Sequence, residues 1–253
     1  MKTESDLVAA ADENFVASFR KLAQHCPGAE IRNVGGVFAF VTGLRLALFN
    51  GCVVTRSATA AELGAALEWV GAHDLPHRVW ITQRMPELGD VPPLYGLVPE
   101  PQPYPGMVLH PLREAPPSPA GVTTVCVVDG NLDEYVHVSV ESGLRPDMSE
   151  RLFTPSFASD PDVQLFVGRL HGRPVGTSIA IRSASASGVY NVGTLPRARR
   201  QGVGAALTWA AVEAGRAWGH DTIVLQSSVM GLPMYVAMGF RTVAPYTVFS
   251  PSR

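Results

Sequence analysis

The stretch Val192-Gly-Thr-Leu-Pro-Arg-Ala-Arg-Arg-Gln-Gly-Val-Gly-Ala-Ala-Leu207 limits the possible folds more than any other part of the chain. Upstream of it, Gly188 to Thr194 reads as a strand. Downstream, Leu207, Ala210, Ala211, Ala214 and Trp218 recur at helical spacing from about Gly202, and Gly219 closes the helix. A strand that passes through a basic, glycine-containing turn straight into an apolar-faced helix belongs to an α/β or α+β domain. Such a turn can also bind anions. The first turn of a helix carries free N–H groups and the positive end of the macrodipole, where phosphate oxygens can sit. Glycines at 202 and 204 let the backbone approach a ligand without a Cβ in the way. Arg199 and Arg200 add charge-assisted donors. Other phosphate-binding signatures fit less well. A Walker A loop needs Gly-Lys-Ser/Thr where this loop continues Gly-Ala-Ala, and the dinucleotide fingerprint needs a third glycine where Leu207 stands. On the loop alone, a glycine-capped helix with solvated arginines remains an alternative.

The rest of the chain supplies elements for two such units. Residues 5 to 24 show helical spacing, with Leu7, Ala11, Phe15, Phe19 and Leu22 near one face and Ser5 or Asp6 as the expected cap. Ile31 to Val54 breaks into short apolar runs at Gly35-Gly36, Gly43 and Asn50-Gly51, which reads as strands joined by hairpins. Thr59 caps a helix to Ala72, with Glu62 three residues on. A strand Arg78 to Thr82, a proline-interrupted segment to Gly96 and a strand near Met107 to Leu109 follow. Arg113 to Gly121, REAPPSPAG, is a linker and the expected domain boundary. Beyond it come a strand Thr123 to Val128, a helix from Leu132 capped by Asn131 with Tyr135, Val136 and Val140 apolar, and a helical and loop stretch Pro146 to Ser159. Strands Gln164 to Arg169 and Val175 to Ile181, the strand–turn–helix unit, a strand Ile223 to Ser227, a short helix Leu232 to Met238 and a last strand Arg241 to Phe249 complete the order.

Composition excludes several classes of partner. The net charge is −2 and no run of Lys or Arg exceeds two residues, so neither nucleic acid nor an anionic membrane is expected as the main partner. Cys26, Cys52 and Cys126 lie far apart without metal-ligand spacing, so no metal is expected and all three read as small apolar residues. Acids stand near the N-terminus where a signal peptide needs an apolar core, so the expected location is cytoplasmic.

Arg199-x-x-Gly202-x-Gly204, after Thr-Leu-Pro at a strand end, resembles the pyrophosphate loop of the GNAT acetyltransferases. The resemblance continues through the strand from Ile223, then Gly231-Leu-Pro-Met-Tyr235, then Met238-Gly239-Phe240-Arg241, and covers roughly Val122 to Phe249. It implies the GNAT fold, a central mixed and largely antiparallel sheet flanked by helices. It also implies an N-acetyltransferase that moves an acetyl group from acetyl-CoA to a primary amine of a small molecule or peptide by direct attack in a ternary complex. Carried over residue by residue, Val192, Gly193 and Thr194 would bond the pantetheine arm, and one of their N–H groups would stabilise the oxyanion. Arg199, Arg200, Gln201, Gly202, Val203, Gly204 and Ala205 would hold the pyrophosphate. Tyr235 stands where the family commonly keeps its general acid. Ser228 stands seven residues before it, where the family commonly has Asn, and is a weaker cofactor contact. Phe240 would pack under the site.

No general base is visible. The strands where the family often places a Glu read Gly-Val-Tyr-Asn-Val and Ile-Val-Leu-Gln-Ser. Tyr190, Asn191 or Gln226 could order a water, and Glu134, Glu141 or His137 could face the acceptor. Glu134, Glu141, Asp147, Glu150, Asp160 and Asp162 lie in the part that usually covers the acceptor, which hints at a cationic substrate; a solvated helix and loop is the plainer account. Residues 59 to 110 repeat the element order of the second half, with Tyr95-Gly96-Leu97 near the place of Met238-Gly239-Phe240, but the turn Thr55-Arg-Ser-Ala-Thr59 has no glycine. The expectation is a tandem protein: a degenerate GNAT-like domain 1–112, a linker 113–121 and an acetyltransferase domain 122–253, the first walling the acceptor cleft or forming a homodimer surface. A catalytically silent acyl-CoA-binding sensor is the alternative function.

Overall fold

The computed structural model describes residues 2–127 and 131–252. Helix α1 (Glu4–His25) opens the chain and starts from a reciprocal capping box between Thr3 and Asp6, so the cap lies two positions before the expected Ser5 and three before Asp6. Strands β1 (Glu30–Val34), β2 (Val37–Val41) and β3 (Asn50–Val54) follow, then helix α2 (Ala60–Gly71) and strand β4 (Arg78–Thr82). The proline-rich segment forms two 3-10 turns, Pro86–Asp90 and Pro92–Tyr95, before β5 (Leu97–Pro99) and β6 (Tyr104–Leu109). Beyond the exposed linker come β7 (Val122–Cys126), α3 (Leu132–Glu141), α4 (Pro146–Leu152) and α5 (Pro155–Ala158). Strands β8 (Val163–Leu170), β9 (Arg173–Arg182) and β10 (Ser187–Thr194) lead into α6 (Val203–Ala217), β11 (Ile223–Gln226), α7 (Leu232–Met238) and β12 (Arg241–Pro251).

Two local expectations give way. Asn50-Gly51 is not a turn but the start of β3. The buried Asn50 carboxamide accepts from the Thr42 N–H and donates to the carbonyls of Leu44 and Pro76, so it braces the preceding loop from inside. Gly51 is required because β4 passes so close that a Cβ would fall 1.8 Å from the Arg78 carbonyl oxygen. Asn131 does not cap α3 with its side chain, which instead donates to the Cys126 carbonyl at 3.3 Å. Val138 and Ser139, not Val140, turn inward beside Tyr135. Val128, the expected end of β7, lies outside the described residues.

The strands form one mixed, largely antiparallel sheet in the order β1-β2-β3-β4-β12-β6-β11-β10-β9-β8-β7, with β5 beside the end of β12. Its centre is an exchange. The last strand of the second half, β12, pairs with β4 of the first, while β6 of the first half pairs with β11 of the second. β12 and β6 then pair with each other, closing the seam. Side chains alternate across the sheet, as the pleat requires. Met107, Leu109, Ile223 and Leu225 face α6, and Val79 and Ile81 face α2. On the opposite face Val108, Val224, Tyr246 and Trp80 pack against Phe15 and Phe19 of α1. The fully buried Asn14 fastens α1 to the second half. Its amide donates to the carbonyls of Ile181 (3.0 Å) and Ala186 (3.2 Å), and its carbonyl oxygen accepts from the Tyr190 hydroxyl at 2.6 Å. The first half's helix is therefore a wall of the second half's sheet.

Candidate active site

β10 and β11 run parallel but pair only at Ser187↔Ile223 and Gly188↔Val224. Beyond those positions they part, because β10 kinks. Asn191 takes a left-handed φ of 49°, and the β9–β10 register shifts between Tyr190 and Gly193. Parted parallel strands leave unmatched backbone edges facing a gap, where an extended ligand with amide groups can lie as a strand would.

At the end of β10 the chain turns through Pro196–Ala198 into the loop before α6. Arg200 and Gly202 both adopt positive φ, 61° and 80°. That conformation costs an ordinary residue such as Arg200 about 1 kcal/mol, and successive turns of this kind aim backbone N–H groups into a concavity. α6 begins with no side-chain cap, and its first intrahelical bond is from Ala206 N–H to the Gly202 carbonyl. The N–H groups of Val203, Gly204 and Ala205 therefore stand at an uncapped positive helix end. A Cβ on Gly204 would lie 3.5 Å from Thr194 Oγ1 and 3.3 Å from Met234 Sδ, so this turn faces the end of β10 and the start of α7 together.

The expected site residues come together unevenly. Val192, Gly193, Ser228 and Tyr235 line one cavity of about 460 Å³ on the α1 face of the sheet. Thr194 and residues 199–205 do not line it. Arg199 folds back to donate to the Thr194 carbonyl at 3.1 Å, and Gln201 donates to the Arg197 carbonyl at 3.4 Å. The Ser228 hydroxyl accepts the Gly231 N–H at 3.2 Å and so shapes the entry to α7. Tyr235 is 8% exposed and packs edge-on to Phe240 with ring centroids 5.8 Å apart. Burial pushes its hydroxyl up to about 12, partly offset by a hydrogen bond with Thr208. It therefore keeps its proton at any ordinary pH.

Five of the six acids of the covering region, all but Glu150, are seen in ion pairs. Glu134 pairs with Arg169, Glu141 with Arg197 and Asp147 with Arg145. Asp160 and Asp162 share Lys21, which donates to Asp162 and holds that carboxyl below the usual range. None of these acids lines the cavity, and among the described residues no other Asp or Glu does.

That the first half borders the cavity was expected in outline, but the residues that do so were not. Phe15, Phe19 and Trp80 read as an ordinary core stripe and a strand, yet their rings close the cavity together with Leu48 and Phe49. Only the exchange of strands puts them there, and no local spacing announces it. Cavity size alone would point to the wrong place. A larger space of about 700 Å³ lies under α1 in the first half, lined by Asp12, Arg56 and Arg84. Asp12 there is held by Arg84 and by the Tyr246 hydroxyl at 2.5 Å, and neither a parted strand pair nor an uncapped helix opens onto it.

Residues 140–227 match the family model described as an acetyltransferase (GNAT) domain. No curated protein matches the sequence. The fold is similar to a GCN5-related N-acetyltransferase from Kribbella flavida, at 21% identity and TM-score 0.70, over 98% of this chain and 96% of that one. It is similar to a GCN5-related N-acetyltransferase from Sphaerobacter thermophilus, at 19% identity and TM-score 0.62, over 85% and 76%. A tandem GNAT protein from the clavulanic acid biosynthesis pathway aligns over 98% and 97%, at 14% identity and TM-score 0.61. No helix of the described residues is long and apolar enough to cross a membrane.

Proposed function

We propose that this tandem GNAT-fold chain, with its acetyltransferase-type domain in the second half, transfers an acetyl group from acetyl-CoA to a primary amine. The observation that carries the reading is the parting of β10 from β11 immediately beside an uncapped α6. One feature fits an acyl-pantetheine arm and the other a pyrophosphate, and they lie one loop apart. Acetyl-CoA supplies the acyl group as a thioester, activated toward nucleophiles. The backbone of Val192, Gly193 and Thr194 holds the arm. The N–H groups from Arg200 to Ala205 hold the phosphates, with Arg199 and Arg200 beside them and Ser228 as a minor contact.

Transfer forms a bond from the amine nitrogen to the acetyl carbon and breaks the carbon–sulfur bond. Backbone N–H groups at the kink of β10 steady the carbonyl oxygen as charge gathers on it. Tyr235 gives its proton to the departing thiolate, the amine's surplus proton passes to solvent, and Tyr235 is reprotonated from solvent. No carboxylate base is required when the amine arrives neutral. Residues 1–112 act as a companion domain that walls the acceptor cavity, and a silent sensor would have no use for Tyr235.

Calorimetry with acetyl-CoA tests the reading. The native chain binds one molecule with micromolar affinity. In Gly204→Glu a carboxylate stands among the phosphate-facing N–H groups, and affinity falls by more than about a hundredfold, roughly 2.7 kcal/mol. Gly204 suits this test because its nearest side-chain neighbour is the flexible Met234, whereas a Cβ on Gly202 would collide with Pro119. No binding by the native chain, or equal binding by Gly204→Glu, overturns the reading.

A further inference from the structure

We infer that the cavity takes an acceptor whose amine is carried on an apolar, ring-bearing body, and that the Gln226 carboxamide positions that amine; this rests on reading the chain as an acyltransferase. Alternation along β11 sends Val224 to the α1 face and Leu225 to the α6 face, so Gln226 falls on the α1 face, where it lines the cavity. Its Oε1 and Nε2 are both out of reach of solvent, and neither has a hydrogen-bond partner among the described residues. Leaving a buried polar group in that condition costs about 1–3 kcal/mol. A turn of the Gln226 side chain toward the cavity lets Oε1 accept an N–H from an acceptor amine, which relieves it and leaves the nitrogen lone pair free for the acetyl carbon. Gln226 ends β11 just before Ser228 on the parted side of the strand pair, so an amine held there lies beside the acyl end of the gap.

The walls set the rest of the molecule. Among the described residues no Asp, Glu, Lys, Arg or His lines the cavity. An ammonium in such a place would be stripped of water with nothing to pair it, so the site favours the neutral amine, and a polycation would leave several charges unpaired. Phe15 and Trp80 meet edge to face with centroids 5.2 Å apart, and Phe19, Leu48, Phe49 and Phe153 complete an apolar chamber. A volume of about 460 Å³ suits a fused-ring body with a short arm. Leu46 lines the chamber and is 39% exposed, which places it at the mouth.

The test follows thiol release from acetyl-CoA with tryptamine and phenethylamine on one side and spermidine and kanamycin on the other. The native chain prefers the aromatic amines by at least about tenfold in kcat/KM. Leu46→Glu, a surface change that leaves folding intact, lowers that ratio by adding a carboxylate at the mouth. Gln226→Leu raises the KM for tryptamine about tenfold while acetyl-CoA affinity holds, and it raises the melting temperature because the unpaired amide is gone. Preference for the polycations, or turnover of neither class, overturns the substrate assignment while acetyl-CoA binding still upholds the acyltransferase reading. Loss of acetyl-CoA binding in the native chain fails that reading instead. A higher melting temperature with unchanged KM in Gln226→Leu overturns the positioning role.

Discussion

β3 with β4 in the first half and β10 with β11 in the second are parallel pairs at equivalent places, and they end differently. β3 and β4 pair at Gly51↔Arg78, Cys52↔Val79, Val53↔Trp80 and Val54↔Ile81, so that β3 stays paired through its last residue. β10 and β11 pair at two positions and separate. The helices that follow differ in the same sense. α2 begins with a full capping box, its N-terminal groups taken by the Thr59 hydroxyl and the Glu62 carboxylate. α6 begins on Gly202 with no cap. Gly35 packs so tightly on the Glu62 carboxyl that a Cβ there would lie 1.8 Å from it, which pins the acid in place. One half closes its helix start with its own carboxylate and keeps its parallel strands paired, while the other leaves both open. The first half has become a scaffold whose rings face the second half's cavity.

The halves are nonetheless one sheet, and the strand exchange makes the largest prediction. Residues 1–112 expressed alone leave β4 without β12, and residues 113–253 leave β11 without β6. Each then exposes a long apolar edge at its middle. Neither piece alone gives a cooperative melt, and co-expression restores one, with acetyl-CoA binding. Circular dichroism on the separate and combined pieces checks this. A second-half piece that melts cooperatively alone and binds acetyl-CoA would break the comparison, since the first half would then be dispensable.

What could be read from residues alone follows the range of the forces involved. α6 and its loop, the Thr59–Glu62 box and α7 were visible because capping, periodicity and glycine turns act within a few residues. Gly96 and Gly239 both take left-handed φ, 75° and 98°, and each is followed by a buried residue, Leu97 or Phe240, at the entry to a strand. That shared detail is local and was legible as a repeat. The strand exchange was not, because β4 and β12 are joined by pairing between residues more than 150 positions apart and no sequence period marks their partner. The aromatic wall from α1 and β4 was missed for the same reason, and so was the engagement of the acids by Arg169, Arg197 and Lys21.

At the open pair, Tyr235→Phe lowers kcat about a hundredfold, the usual scale for loss of a positioned acid, while acetyl-CoA affinity changes little. With the hydroxyl pushed up to about 12 by burial, the acid form persists, and kcat shows no falling limb from Tyr235 up to about pH 10. The rate rises with pH instead, as the acceptor amine loses its proton. Steady-state kinetics from about pH 6 to about pH 10 read both effects. An unchanged kcat in the variant removes Tyr235 from proton transfer and brings the second half closer to the first.

At the closed pair, the smallest change carries the finest discrimination. Thr59→Ala removes the hydroxyl that accepts the Glu62 N–H, at a cost of about 1 kcal/mol. The melting temperature drops by a few degrees, and calorimetry still counts one acetyl-CoA per chain. The reason is that the cap is only one of two closures: with β3 paired to β4 through Val54, an uncapped α2 still has no gap beside it for a pantetheine arm. A second binding event in Thr59→Ala would mean that the capping box alone had closed the first half, with the strand pairing incidental to it.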